Sequence, residues 1–290
     1  MKRDELIHFI GEGPILFDGA MGSNLYLAGM PRGVSSEAWI LEHPEVVLKL
    51  QKDYVEAGSQ MVLAPTFMAN RLSLGYMGLS HEVSRFNREI VPITKEAVAG
   101  KALVAGDMTT TGMRVEPLGD LSEKELFDAY KEQAETLYES GVDLIVGETL
   151  IYKEEALILI DAVKSVCDLA IGITFTVNEK GDLPFGGNVY DAVGEVEKAG
   201  AAMVGINCSM GPDKALDVVS KICSLVSIPV VAKLNAGVPT FDAEGRAIYG
   251  MNAESFAKDM KRLSEAGARV VGGCCGTTPA FIRALSDILS

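Results

Sequence analysis

The sequence predicts an α/β chain closed into a single-domain (β/α)8 (TIM) barrel, and three observations carry that expectation. Four segments repeat one pattern, in which an acidic residue and a glycine end a helix and a buried apolar strand follows. They begin at Glu56, Glu139, Glu197 and Glu265, with glycines at Gly58, Gly141, Gly200 and Gly267. Four further apolar segments, at 15–18, 102–107, 170–175 and 230–235, alternate with these and bring the strand count to eight. No Pro/Ser-rich linker or change of composition divides the 290 residues, and α/β barrels run to roughly 200–250 residues as one unit. A doubly wound open sheet is the alternative topology, but eight strands and a four-fold repeat favour closure.

Each element has its own local reason. Glycine just past a helix end adopts the left-handed conformation at little cost. The strands are continuously apolar, as parallel strands covered on both faces require. Residues 44–56 are apolar at Val46, Val47, Leu50 and Tyr54, close to helical spacing. A helix over 122–139 opens on Ser-Glu-Lys-Glu, a capping box. Further helices are expected over 154–166, 192–199, 213–225 and 253–266. The last should start with Thr278 as N-cap and Pro279 in the first turn.

Composition bounds the function. The chain has 26 basic and 40 acidic residues, a net charge of −14, so it lacks the basic balance that nucleic-acid binding needs. No apolar run reaches the roughly 18 residues of a membrane span. The N-terminus lacks the apolar core of a secretion signal. A cytoplasmic protein with reduced cysteines is therefore expected.

In such barrels chemistry gathers at the C-terminal ends of the strands. Read in order, those ends are Asp18, Thr66, Asp107, Glu148, Thr174 with Thr176, Asn207-Cys208, Asn235 and Cys274-Cys275. Any one of them can be a helix cap, but a polar or metal-binding residue at every end points to a site. Of the five cysteines, Cys167 and Cys223 lie late in helices and read as small buried apolar residues. Cys208 ends the sixth strand, and Cys274 with Cys275 ends the eighth. Neighbouring strand residues face opposite ways, so both members of the doublet reach one ligand only if the chain turns there. Gly272, Gly273 and Gly276 permit that.

Three thiolates with an open fourth position describe a catalytic zinc site; buried thiols or a redox pair are the alternatives. Zinc held by three thiolates is too electron-rich to make hydroxide well. It still lowers the pKa of an incoming thiol and keeps it nucleophilic. Alkyl transfer to a thiol suits such a site better than hydrolysis does.

Six motifs then carry a resemblance: Phe17-Asp-Gly-Ala-Met-Gly, Pro65-Thr-Phe, Gly147-Glu-Thr, Gly205-Ile-Asn-Cys-Ser-Met-Gly-Pro, Asn235-Ala-Gly-Val-Pro and Gly272-Gly-Cys-Cys-Gly-Thr-Thr-Pro. Together they resemble the homocysteine S-methyltransferase family over nearly the whole chain. Within it, the chain looks most like the homocysteine-binding domain of cobalamin-dependent methionine synthase. The resemblance implies Zn2+ on Cys208, Cys274 and Cys275, and homocysteine as the thiol that attacks an activated methyl group to give methionine. It also implies that Asp18 and Glu148 hold the amino group, while backbone amides near Gly19, Ala20 and Thr66 meet the carboxylate. Asn235, between the two cysteine-bearing strands, is expected to fill the open zinc position until substrate arrives.

Pro65 and Leu234 stand where methionine synthase-type members usually carry Asn and Pro. Gly276 stands where relatives using S-methylmethionine tend to carry Arg, which favours a corrinoid donor. The cobalamin pattern Asp-x-His-x-x-Gly is absent around His8, His43 and His81. Methylcobalamin is therefore expected on a separate corrinoid protein or domain, with an S-methylmethionine- or betaine-type donor as the alternative. Three rival readings stand beside this one: a Schiff-base barrel using Lys233, a phosphate site at Thr277-Thr278, and a zinc-binding module without catalysis. For Lys233, packing against a carboxylate inside the barrel is the preferred reading.

Overall fold

A computed structural model describes residues 1–11, 13–243 and 245–290. Eight parallel strands form the barrel, each beside its neighbour in the sequence of barrel strands. They are β1 (Ile15–Leu16), β2 (Met61–Ala64), β3 (Leu103–Thr109), β4 (Leu144–Leu150), β5 (Ile171–Phe175), β6 (Met203–Cys208), β7 (Val230–Leu234) and, after a small antiparallel hairpin of β8 (Thr240–Phe241) and β9 (Ala247–Ile248), β10 (Ala268–Gly273). β1 pairs with β10 through Ile15 and Val270. The remaining seam, between β1 and β2, closes on a single bridge, Phe17 to Met61. Side chains extend that seam: Leu63 N–H donates to Asp18 Oδ2 at 2.9 Å, and Leu16 N–H donates to Gln60 Oε1 at 3.2 Å.

All four repeat glycines take positive φ, at 114° for Gly58, 76° for Gly141, 110° for Gly200 and 117° for Gly267. The capping box is formed: Glu125 N–H donates to Ser122 Oγ, and Ser122 N–H donates to Glu125 Oε2. Thr278 occupies the N-cap position before the helix Pro279–Leu289, although its hydroxyl caps nothing. Two expected helices start elsewhere: the one expected over 192–199 begins at Val189, behind an Asn188 cap, and the one over 213–225 begins at Leu216.

The structure adds helices that the apolar spacing did not disclose, among them Arg3–Ile10 and Val83–Val98. The first is a plug. Its Leu6 and Ile10 are buried and join Ile15, Phe17, Met61, Val146, Val231 and Val270 in the barrel interior. The Met1 ammonium donates to Asp143 O at 2.8 Å, which fixes the plug against the barrel floor. A second, larger apolar layer lies between barrel and helices. No described helix is long and apolar enough to cross a membrane.

Alternation along the strands then sets the floor of the site. Ala105, Val146 and Val231 belong to the interior cluster. Two residues further along lie Asp107, Glu148 and Lys233, which by the period of two face the same interior. Each is buried, so the apolar barrel ends in a charged layer at its C-terminal mouth.

Candidate active site

The three cysteines predicted to converge do so. The Sγ atoms of Cys208, Cys274 and Cys275 all lie within 4.8 Å of one another, and Cys208 Sγ is 3.6 Å from Cys275 Sγ. Ligands of a tetrahedral zinc at about 2.3 Å stand about 3.8 Å apart, so the trio fits that ion both by spacing and by donor type. All five cysteines are free thiols. Among the three, contacts with Cys208 and Cys274 hold the pKa of Cys275 down to about 3, whereas Cys274 and then Cys275 push that of Cys208 far up. Cys167 and Cys223 are half-buried at helix ends, outside the trio.

Local backbone geometry explains the convergence. Past β10, Thr277 N–H donates to Cys274 O at 3.1 Å, which makes the turn that the doublet requires. Gly276 holds the third position of that turn at φ 82°, where a side chain is strained. At β6 the turn is made without glycine: Cys208 and Ser209 take φ of 56° and 53°. Ser209 Oγ holds that conformation, donating to Asn207 O and accepting from Val177 N–H, both at 2.8 Å. Asn207 does the same for β4. Its Oδ1 accepts Thr149 N–H at 2.9 Å and its Nδ2 donates to Thr149 Oγ1 at 2.6 Å, with Thr149 at φ 62°. Asn207 therefore ties the residue after Glu148 to the residue before Cys208.

A cavity of about 240 Å³ opens on the trio, and Asp18, Gly19, Ala20, Glu148 and Lys233 also line it. Lys233 Nζ lies 3.3 Å from Asp18 Oδ1 and 3.5 Å from Glu148 Oε2. Burial pushes Asp18 up to about 6 and Glu148 up to about 7, against the opposing pull of Lys233 in each case. Burial works against the charge of Lys233 too, but Glu148 and Asp18 outweigh it and hold its pKa well above the usual lysine value. A Schiff-base amine must be neutral to attack; this one is held as an ammonium, the packed role preferred for it. Asp107, buried beside this group, is raised well above the carboxylate range by burial and by Glu148, and its Oδ1 has no partner.

Other predicted residues sit close by with partners of their own. Thr66 Oγ1 donates to Asp107 O at 2.8 Å, and Thr66 N–H donates to Ala64 O. Ala20 N–H donates to Thr277 Oγ1 at 3.0 Å, and that hydroxyl donates to Cys274 O. Thr277 is thus a strut between β1 and β10, which leaves its hydroxyl no role with phosphate. Asn235 is buried, with Oδ1 unpartnered. Sequence reasoning missed Tyr249, which follows β9. A Cβ placed on Gly276 would lie 2.2 Å from the Tyr249 ring. Glycine at 276 is therefore required by the turn and by Tyr249, and says nothing about the methyl donor.

Comparison with known proteins agrees with this geometry. Residues 15–289 match the profile described as homocysteine S-methyltransferase. The methionine synthase of Mycobacterium tuberculosis is 29% identical over 96% of the chain, which spans only 25% of that protein's length. The rat betaine–homocysteine S-methyltransferase 1 is 28% identical over 97% of the chain and 72% of its own length. In fold, the chain is similar to the metallated homocysteine methyltransferase MmuM from Escherichia coli, with a TM-score of 0.80 and 23% identity over 97% of this chain and 98% of that one.

These findings correct the donor. The expected methylcobalamin on a corrinoid partner is overturned: the relatives matched over most of their own length include one whose name gives betaine as methyl donor, and Gly276 has a steric cause. A special likeness to the cobalamin-dependent domain is not distinguished either, since methionine synthase and the betaine enzyme match almost equally well. The family itself rests on the match over 15–289 and on the cysteine trio at the barrel mouth: the chain belongs to the homocysteine S-methyltransferase family.

Proposed function

We propose that the chain is a zinc-dependent methyltransferase that transfers a methyl group from a small onium compound, of the betaine or S-methylmethionine type, to the thiol of homocysteine. The observation that carries this reading is the convergence of Cys208, Cys274 and Cys275 in the same cavity as Asp18 and Glu148. When bound by the trio, zinc lowers the pKa of an incoming thiol and keeps it nucleophilic near neutral pH.

The chain's own residues supply position. Asp18 and Glu148 face the cavity and hold the acceptor's ammonium. Asn235, whose buried Oδ1 has no partner, would fill the fourth zinc position until the acceptor arrives. The acceptor sulfur attacks the methyl carbon in line as the donor's onium bond breaks, and the bonding pair stays on the donor's nitrogen or sulfur, which departs uncharged. The charged layer needs no reorganisation during this step, because its members are fixed by the strands.

Zinc K-edge absorption with and without homocysteine tests the acceptor half. A change from three sulfurs and a lighter atom to four sulfurs is expected. Absence of zinc, or zinc indifferent to homocysteine, overturns the proposal. Turnover with betaine, S-methylmethionine and a methylcorrinoid then tests the donor half, and activity confined to the corrinoid refutes it.

A further inference from the structure

An α-amino acid presents two opposite charges close together, and a site that selects it needs acceptors for the ammonium and donors for the carboxylate. Asp18 and Glu148 supply the anionic half. For the cationic half, the sequence resemblance pointed to backbone amides at Gly19, Ala20 and Thr66. Two of those are committed within the fold: Ala20 N–H to Thr277 Oγ1 at 3.0 Å, and Thr66 N–H to Ala64 O at 2.7 Å.

Lys233 is the one cation among the described residues that line the cavity. Its separations from Asp18 and Glu148, 3.3 and 3.5 Å, exceed the roughly 2.7–2.9 Å of a tight charged hydrogen bond. Asp18 Oδ1, although buried, has no hydrogen-bond partner. The ammonium is thus placed by charge without being saturated, and an ammonium carries three donors.

We infer that Lys233 sets acceptor specificity, its ammonium receiving the α-carboxylate of the acceptor while Asp18 Oδ1 and Glu148 receive the α-ammonium. This rests on the homocysteine reading above and deepens it. The four groups then alternate in sign. A thiol bearing only an amine satisfies the two carboxylates but brings no anion to the open donors of the Lys233 ammonium. A thiol bearing only a carboxylate sets a third anion beside Asp18 and Glu148. The selected class is therefore the zwitterionic amino-acid thiol, with aminoalkanethiols and mercapto acids rejected.

The test is calorimetric binding to the zinc-loaded full chain of three ligands: methionine, 3-(methylthio)propylamine, which lacks the carboxylate, and 4-(methylthio)butyrate, which lacks the amine. The wild type is expected to prefer methionine over both. Lys233→Met should weaken methionine on the order of 10–100-fold, the usual worth of a hydrogen bond between charged groups, and leave the amine unchanged or tighter. Equal weakening of methionine and the amine marks a purely structural lysine and overturns the inference, as does unchanged methionine binding.

Should Lys233→Met fail to fold, Lys233→Arg keeps the charge but moves its donors. It should weaken methionine and spare the amine, and parallel losses again overturn the inference. Wild-type protein that binds neither methionine nor homocysteine refutes the homocysteine reading itself, a result distinct from any response of the Lys233 variants.

Discussion

Replacing Asn207 by alanine removes the amide that ties β4 to β6 at the mouth of the barrel. Asn207 is fully buried and makes two bonds to Thr149, at 2.9 and 2.6 Å. Each is worth about 1 kcal/mol, and leaving the Thr149 N–H unpaired adds about 1 kcal/mol more. Against this, Thr149 sits at φ 62°, and release from the left-handed region returns about 1 kcal/mol. The net expectation is a loss of about 2 kcal/mol in equilibrium urea unfolding, read from the midpoint at constant slope. Thr149→Gly, which relieves the strain but gives up the hydroxyl, should be close to neutral. By the same terms the double variant should lose about 2 kcal/mol, as Asn207→Ala alone does, because either substitution removes the hydroxyl bond and either one releases the strain. A loss below about 0.5 kcal/mol for Asn207→Ala refutes the clamp.

The remaining predictions concern the trio, the charged layer and the turn. Cys208→Ser, Cys274→Ser and Cys275→Ser should each lower zinc content by metal analysis, whereas Cys167→Ser and Cys223→Ser leave it intact; zinc loss in either of the last two breaks the assignment. Asp18 and Glu148 are raised to about 6 and about 7 by burial, so the native state holds their protons more tightly than the unfolded chain. Their contribution to stability is full below about pH 4 and is lost as pH rises to about 7. Urea midpoints across that window should show a downward slope that Glu148→Gln flattens; a slope of opposite sign contradicts the burial argument. Gly276→Arg should destabilise the chain, because the residue needs φ 82° and meets Tyr249, and Tyr249→Ala should recover part of the loss. Thermal unfolding of Gly276→Arg indistinguishable from wild type removes that explanation.

The barrel was readable because each strand announces itself by an unbroken apolar run and each repeat by a glycine that the left-handed turn demands. The trio was readable because thiols are rare and chemically specific. Val83–Val98 was harder: Pro92 lies inside it and interrupts the expected helical signal, yet tertiary packing of its buried face holds it. The left-handed residues Thr149, Cys208 and Ser209 carry no sequence mark, since none is glycine; their conformation comes from Asn207 and Ser209 contacts that exist only once the strands meet. Lys233 was legible as an interior residue by parity, but its two carboxylate neighbours come from β4 and from the end of β1, 85 and 215 residues earlier, and no local pattern links them. Gly276 misled because a backbone requirement was read as a substrate preference.

The single-bridge seam has a consequence for synthesis on the ribosome. β1 finds its full partner in β10, where Ile15 meets Val270, so the first strand made waits for the last. At about 5–20 residues per second, that interval is about 13–50 s. During it, Phe17 and the plug residues Leu6 and Ile10 have only one edge of the growing sheet to shelter against. Cys274 and Cys275 follow β10 directly, so the thiol trio and the carboxylates of Asp18 and Glu148 come to share one cavity only in the closing event that joins β1 to β10.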